Sequence, residues 1–345
     1  MEKITTICFA AGHGGGHILP TITKAHHHKI NHPHDTIVFF ASTAPLDQKI
    51  LSAYTFLDHR IALSVENIPG KKKLWRLPIF AIKFINSFFK SLWFLYKLKP
   101  SVIISMGGYT TIPTCLAGLL LRIPLELHEL NVEPGKAITF LAPAARTIWV
   151  TYKKTAMLLN SNNCVHTPYP IRFTHEDKKI NKEEALHTIE FKTDRKTLMI
   201  IGGSQGSLFI NKCIQQWLHA SSNIHHRIQV IHQIGIHEKA DWQSLYARYN
   251  IPSTIFDYRH DLAALYQAAD LVISRAGAGT LAELVFFEKK SLIIPLEAPT
   301  TMHQLYNAQE MHHEYPALFT VLKQSKIEGA QDTFNQLLTT NLLNI

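Results

Sequence analysis

Three glycine-bearing stretches hold the densest concentration of reactive chemistry in this 345-residue sequence. The first, AGHGGGH at 11–17, directly follows the apolar run ITTICFAA; the second, GGSQGS at 202–207, follows TLMII. Glycines after a strand let the main chain approach a ligand. The free N–H groups and positive dipole end of the helix that follows suit a phosphate. Ser204 adds a hydroxyl to the second loop, which lacks both the lysine of a P-loop and the G-x-G-x-x-G spacing, so ATP and NAD are poorly supported. The third stretch, SRAGAGTLAEL at 274–284, sets Gly277, Gly279 and Thr280 ahead of a helix and Glu283 one turn into it. A carboxylate there can accept both hydroxyls of a ribose. Downstream, His303, Gln304 and Asn307 of TTMHQLYNAQ are polar groups suited to sugar hydroxyls.

A transfer reaction at such a site needs a base. Imidazole titrates near neutral pH, which makes His17 of the first loop the leading candidate, with His128 and Glu129 of LHELN in competition. No Asp-x-Asp pair occurs anywhere in the chain, so no metal clamp, and no other cofactor, is expected. The triplet His26–His28, with His32 and His34, lacks acidic partners at fixed spacing and reads as the cationic end of a helix. Cys8, Cys115, Cys164 and Cys213 lie far apart, which predicts neither a zinc site nor a disulfide framework and fits a reducing cytoplasm.

The elements that must position these groups alternate between strand and helix. Apolar runs ITTICFAA, TIVFFAS, SVIISMGG, LELHEL and TIWVTY, then TLMIIGGS, IQVIHQIG, STIFDY, DLVISRAG and SLIIPLE, each precede a turn and a helical pattern. That rhythm predicts parallel sheets with crossover helices, in two Rossmann-like halves that each open on a glycine loop. The predicted domains are 1–170 and 171–330, with a short tail at 331–345. The junction falls around Arg172, where TPYPIRF interrupts the pattern.

Taken together and in order, AGHGGGH, MGGYTTIP, LHELN, YPIR, GGSQG, RAGAGTLAE and HQLYNA resemble the MurG family of bacterial glycosyltransferases. The resemblance runs from the N-terminus to about Ala308. It implies a GT-B fold, two Rossmann-like domains facing a cleft, and transfer of N-acetylglucosamine from UDP-N-acetylglucosamine to the muramyl C4 hydroxyl of lipid I, giving lipid II. By the same resemblance, Ser204 and Arg172 serve the donor diphosphate, which Ala278, Gly279 and Thr280 line. Glu283 holds the ribose, Gln304 reads the sugar, and the main chain at Arg259 pairs with uracil. Gly14, Gly15, Gly16, Tyr109 and Asn131 serve the reacting sugar and the acceptor phosphates. The chain departs from the family pattern at His13 and Gly14, where glycine and threonine are usual, and at Leu130, where glutamine is common. A positive φ at position 13 would strain the histidine. The tail after 330, shorter than the family's closing helix, is expected to return to the first domain.

The formal net charge of +9 asks for an anionic partner. Residues 71–99, KKKLWRLPIFAIKFINSFFKSLWFLYKLK, mix lysines with large aromatics. Their charge-free runs are too short for a bilayer span, and the composition describes an element lying on an anionic membrane surface, with part of the stripe, Phe80, Phe84, Phe88 and Leu95, facing the core. The resemblance places the protein peripherally on the cytoplasmic face of the inner membrane. A GT-B enzyme with another lipid acceptor, or a donor-binding protein without turnover, remain the alternatives. Nucleic acid has only the charge in its favour and is not expected.

Overall fold

The computed structural model describes residues 4–66, 68–70, 75–203, 205–298 and 302–344, so Ser204 and Lys71–Lys73 lie outside the described residues. The chain divides into two units, 1–172 and 173–345.

The first unit is built on β1 (Thr6–Ala10), β2 (Thr36–Ser42), β3 (His59–Leu63), β4 (Val102–Ser105), β5 (Leu125–Glu129), β6 (Thr147–Val150) and β7 (Cys164–His166). They form one parallel sheet in the order β3-β2-β1-β4-β5-β6-β7. Alternation along β1 divides its side chains between two cores. Ile7 and Phe9 join Ile18, Ile22, Ile37 and Phe39 on one face, while Cys8 and Ala10 join Val38, Phe40, Ile103 and Leu125 on the other. Strands buried on both faces read as continuous apolar runs, which is why TICFA and TIVFFAS stand out in the sequence.

The second unit repeats the plan with β8 (Lys196–Ile201), β9 (Ile228–Gln233), β10 (Ser253–Phe256), β11 (Leu271–Ser274), β12 (Ser291–Ile293) and β13 (Phe319–Val321), ordered β10-β9-β8-β11-β12-β13 and parallel throughout. In both sheets the winding reverses beside the first strand, between β1 and β4 and between β8 and β11. Crevices at the carboxyl ends of such strand pairs are where doubly wound sheets bind ligands. The glycine loops of the sequence leave from these strand ends.

Helix α1 (Gly15–Asn31) follows the first glycine loop, α2 (Pro45–Ser52) follows β2, and α3 (Leu77–Leu98) packs on α4 (Ile112–Leu120). Ser87, Ser91 and Leu95 form the buried face of α3, and the Ser91 and Thr114 hydroxyls hydrogen-bond at 3.0 Å. Phe80, Phe84 and Phe88 are half-buried. The opposite face leaves Ile82, Ile85, Phe89, Trp93 and Tyr96 exposed. By length and composition alone α3 could cross a membrane, although its charge-free runs are short.

Residues Gln331–Leu343 form a helix whose Phe334, Leu338 and Leu342 belong to the second unit's own core, and Trp217 Nε1 donates to Thr339 Oγ1 at 3.0 Å. Its apolar spacing finds a partner on the helix Leu208–Ala220 of the same unit.

Candidate functional site

In the first glycine loop the positive φ falls on Gly14, at 89°, and His13 is free of that strain. Position 13 therefore tolerates a side chain, contrary to the expectation from the family pattern. His13 Nδ1 donates to Asp47 Oδ2 at 2.8 Å. The fully buried Asp47 carboxylate also accepts the Gly14 N–H at 3.1 Å and the Ser42 hydroxyl. One carboxylate from α2 thus fixes the loop. His17, in the first turn of α1, donates from Nδ1 to the Met106 carbonyl at 2.9 Å, which leaves the basic lone pair of its neutral ring on Nε2. Gly15 and Gly16 begin α1, and Tyr109 opens a short turn after Gly107 and Gly108.

His128 and Glu129 end β5 in different circumstances. The His128 ring is 2% exposed and stacks on Trp149, and its Nε2 has no hydrogen-bond partner among the described residues. Burial, with the charge of Lys24 second, pushes its pKa down to about 3. Glu129 is also buried, which raises its pKa, but it accepts from Gly135 N at 2.7 Å and from Asn131 N and Nδ2 at 2.9 and 3.2 Å. Those bonds pin the loop 130–135 and fix the Asn131 amide. Leu130 is buried.

In the second unit, Gly206 at φ 78° comes so near Gly235 that a Cβ on it would lie 2.5 Å from the Gly235 Cα. Gly235, after β9, is thus part of the phosphate-type loop, and the IHQIG pattern holds the signal for it. Ser207 caps the helix Leu208–Ala220 and accepts from Arg275 Nε at 3.1 Å. Arg275 is 8% exposed, and its Nη1 donates to the carbonyls of Ile294 and Pro295 and to Gln324 Oε1. Burial lowers its pKa to about 10. Its guanidinium ties the GGSQGS loop to the RAGAGT stretch, a link that the sequence does not announce.

Ala278, Gly279 and Thr280 form the first turn of the helix Ala278–Phe286, whose N-cap Gly277 offers no side chain to the helix amides. Glu283, half-buried, accepts at Oε2 from the hydroxyl of the fully buried Tyr266 at 2.9 Å. Gln304 opens the helix His303–Glu314 beside His303, and its Oε1 accepts from Leu296 N at 3.1 Å. Asn307 is buried beneath them. Arg259 lies past β10, its guanidinium paired with Asp261 and set against the Phe256 ring. Arg172 stands at the end of the first unit, close enough for its charge to act on Tyr54, whose pKa burial raises. Asp47, Tyr266, Gly235 and Arg275 join the candidate set from the structure.

Comparison with known proteins assigns both units. Residues 7–150 match the N-terminal domain of glycosyltransferase family 28, and residues 197–342 match its C-terminal domain. The UDP-N-acetylglucosamine–N-acetylmuramyl-(pentapeptide) pyrophosphoryl-undecaprenol N-acetylglucosamine transferase of Thermodesulfovibrio yellowstonii is 31% identical over 311 residues, 88% of this chain and 82% of that one. The protein of the same name from Protochlamydia amoebophila is 31% identical over 303 residues, 86% of this chain and 78% of its own. Among solved structures, Acinetobacter baumannii MurG superposes with a TM-score of 0.73 at 22% identity, covering 99% of this chain and 91% of that one. The two parallel-sheet domains are therefore those of a GT-B glycosyltransferase, and the chain belongs to the MurG family.

Proposed function

We propose that this protein transfers N-acetylglucosamine, with inversion, from UDP-N-acetylglucosamine to the C4 hydroxyl of the muramyl sugar of lipid I. The hydroxyl oxygen attacks the anomeric carbon, the bond from that carbon to the diphosphate breaks, and UDP leaves with its electron pair. In this reading His17 takes the hydroxyl proton at Nε2, the nitrogen opposite the bond to Met106. Glu283 accepts the ribose hydroxyls, Ala278, Gly279, Thr280 and Ser204 receive the diphosphate with Arg172, and His303 and Gln304 contact the sugar. The main chain at Arg259 serves uracil. Gly14, Gly15, Gly16, Tyr109 and Asn131 serve the acceptor.

The observation that carries this reading is the second unit's pair of glycine-bearing helix starts at one sheet reversal, with the Glu283 carboxylate held beside them by Tyr266. The relatives from Thermodesulfovibrio yellowstonii and Protochlamydia amoebophila, 31% identical over most of the chain, bear the name of this transferase. The exposed aromatic face of α3 supports peripheral attachment to the cytoplasmic face of the inner membrane, where a lipid-linked acceptor is reached. Incubation with UDP-N-acetylglucosamine and a lipid I analogue tests the proposal. Release of UDP with a disaccharide product is expected. Transfer to an unrelated lipid acceptor instead would reassign the substrate, and donor binding without transfer would leave a binding protein.

A further inference from the structure

The second unit begins at Phe173, whose ring joins those of Tyr266, Phe286 and Phe287 in one cluster. Phe173 stands edge-on to Tyr266 at 6.1 Å and to Phe287 at 4.9 Å, and lies nearly parallel to Phe286 at 6.4 Å, while Tyr266 and Phe287 stack at 5.0 Å. Tyr266, on the helix Ala263–Ala268, is fully buried. Its hydroxyl reaches out of the cluster and donates to Glu283 Oε2 at 2.9 Å. The segment that carries Phe173 is fastened at three points: Asp177 accepts the Thr174 N–H at 2.7 Å, the Lys178 carbonyl accepts from Gln267 Nε2 at 3.0 Å, and Lys178 Nζ donates to Glu288 Oε1 at 2.9 Å. A pinned segment presents its ring at a fixed place. The direction of a phenol hydroxyl follows from the packing of its ring, so the wall that Phe173 and Phe287 give Tyr266 also aims the bond to Glu283.

We propose that Phe173 is a positioning residue for donor recognition: its ring holds Tyr266, and through the Tyr266 hydroxyl the Glu283 carboxylate, in the orientation that accepts the ribose hydroxyls. The proposal deepens the transferase reading and rests on it for the ribose role of Glu283. An ionised carboxylate accepts several hydrogen bonds at once, so the phenol and the ribose share the group without competing. Two neighbouring hydroxyls ask more of its geometry. A glutamate side chain turns about several bonds, and each must be fixed before both hydroxyls are met together. Phe173 therefore acts on nucleotides that carry those hydroxyls and is indifferent to nucleotides that lack them.

The test titrates the full chain calorimetrically with UDP and with 2′,3′-dideoxyuridine diphosphate, and reads the ratio of the two affinities. A loss of packing common to both nucleotides cancels in that ratio. The parent should bind UDP at least about tenfold more tightly than the dideoxy analogue, and Glu283→Ala should remove the preference. Phe173→Leu, which keeps an apolar side chain without the ring edge, should lower the preference about threefold, the size of one lost ring pair. Tyr266→Phe should lower it by a similar factor. Phe173→Leu added to Tyr266→Phe should then lower it no further, because the bond it steadies is already gone. Binding of the dideoxy analogue reports a folded unit in each variant, and Phe173→Met, which fills more of the ring's volume, is read in the same way if Phe173→Leu loses that binding. An unchanged ratio in the Phe173 variant while Glu283→Ala abolishes the preference, or additive losses in the double variant, overturns the proposal alone. A preference that survives Glu283→Ala removes the ribose role and overturns the proposal with it.

Discussion

Glu283 accepts a hydrogen bond from the buried hydroxyl of Tyr266, whose ring is locked between Phe287, stacked at 5.0 Å, and Phe173. Removing the carboxylate, Glu283→Ala, should weaken UDP-N-acetylglucosamine binding by about 1–3 kcal/mol, while Tyr266→Phe leaves the charge in place and should cost about 0.5–1.5 kcal/mol. Calorimetry on both variants checks this, and unchanged donor affinity in Glu283→Ala would remove it from the ribose role. His17 tests a different step. His17→Ala should keep donor affinity while turnover falls about 10²–10⁴-fold. Turnover near the parent's would move the proton to His128 or Glu129, against their burial and, for Glu129, against the three bonds it accepts from the 131–135 loop. At this scale the sequence displays which residue types cluster, as in RAGAGTLAE, but not what holds them. Tyr266 lies 17 residues from Glu283 and Asp47 lies 34 from His13, and neither pairing leaves a local pattern.

At the scale of elements, two strands carry imidazoles that the fold keeps neutral. His128 on β5 and His232 on β9 are both held down to a pKa of about 3, chiefly by burial. The sign follows from proton counting. Between about pH 3 and the ordinary imidazole value of about 6.5 the unfolded chain binds these protons and the folded chain does not, so stability rises with pH across that window and is lost on acidification. Going from pH 7 to pH 5 should cost about 2 kcal/mol per imidazole. Denaturant titrations at the two pH values measure it. His128→Phe, which keeps a ring against Trp149, should flatten the dependence by that amount; an unaltered slope would show that His128 is not the group responsible. The strands themselves divide by legibility. Central strands such as TICFA and LMII are buried on both faces and stand out as apolar runs. Three strands that no such run marks, β3, β7 and β13, lie at sheet edges, where HRIAL exposes its first two residues and CVH its last two. A half-covered edge needs fewer apolar side chains, so its pattern fades into the loops.

For the whole molecule, the excess of nine positive charges and the exposed face of α3 bear on the same question, how the protein meets a membrane. Both were visible in the sequence from 71 to 99, but only the structure separates the core residues Ser87, Ser91 and Leu95 from the outward Ile82, Ile85, Phe89 and Trp93. Within α3, Lys83 is engaged by Glu66, Lys90 by the Ala62 carbonyl and Lys97 by the Trp93 ring at 5.2 Å, so the helix offers its cations with partners already attached. Aromatic insertion then has to supply much of the affinity, and each large side chain buried in the acyl boundary contributes about 1.5–3 kcal/mol. Phe89 and Trp93 are more than half exposed, so replacing both with serine should leave the fold intact while lowering vesicle binding at least about 100-fold. The charged part is tested through Lys71, Lys72 and Lys73, each contributing about 1 kcal/mol at an anionic surface and less as salt shortens the screening length. Lys71→Glu, Lys72→Glu and Lys73→Glu together should abolish the preference for anionic over neutral vesicles, and transfer to a soluble acceptor analogue should be unchanged. Co-sedimentation that ignores Phe89 and Trp93 would detach α3 from the membrane. Equal binding of the parent to neutral and anionic vesicles would leave the net charge to another partner.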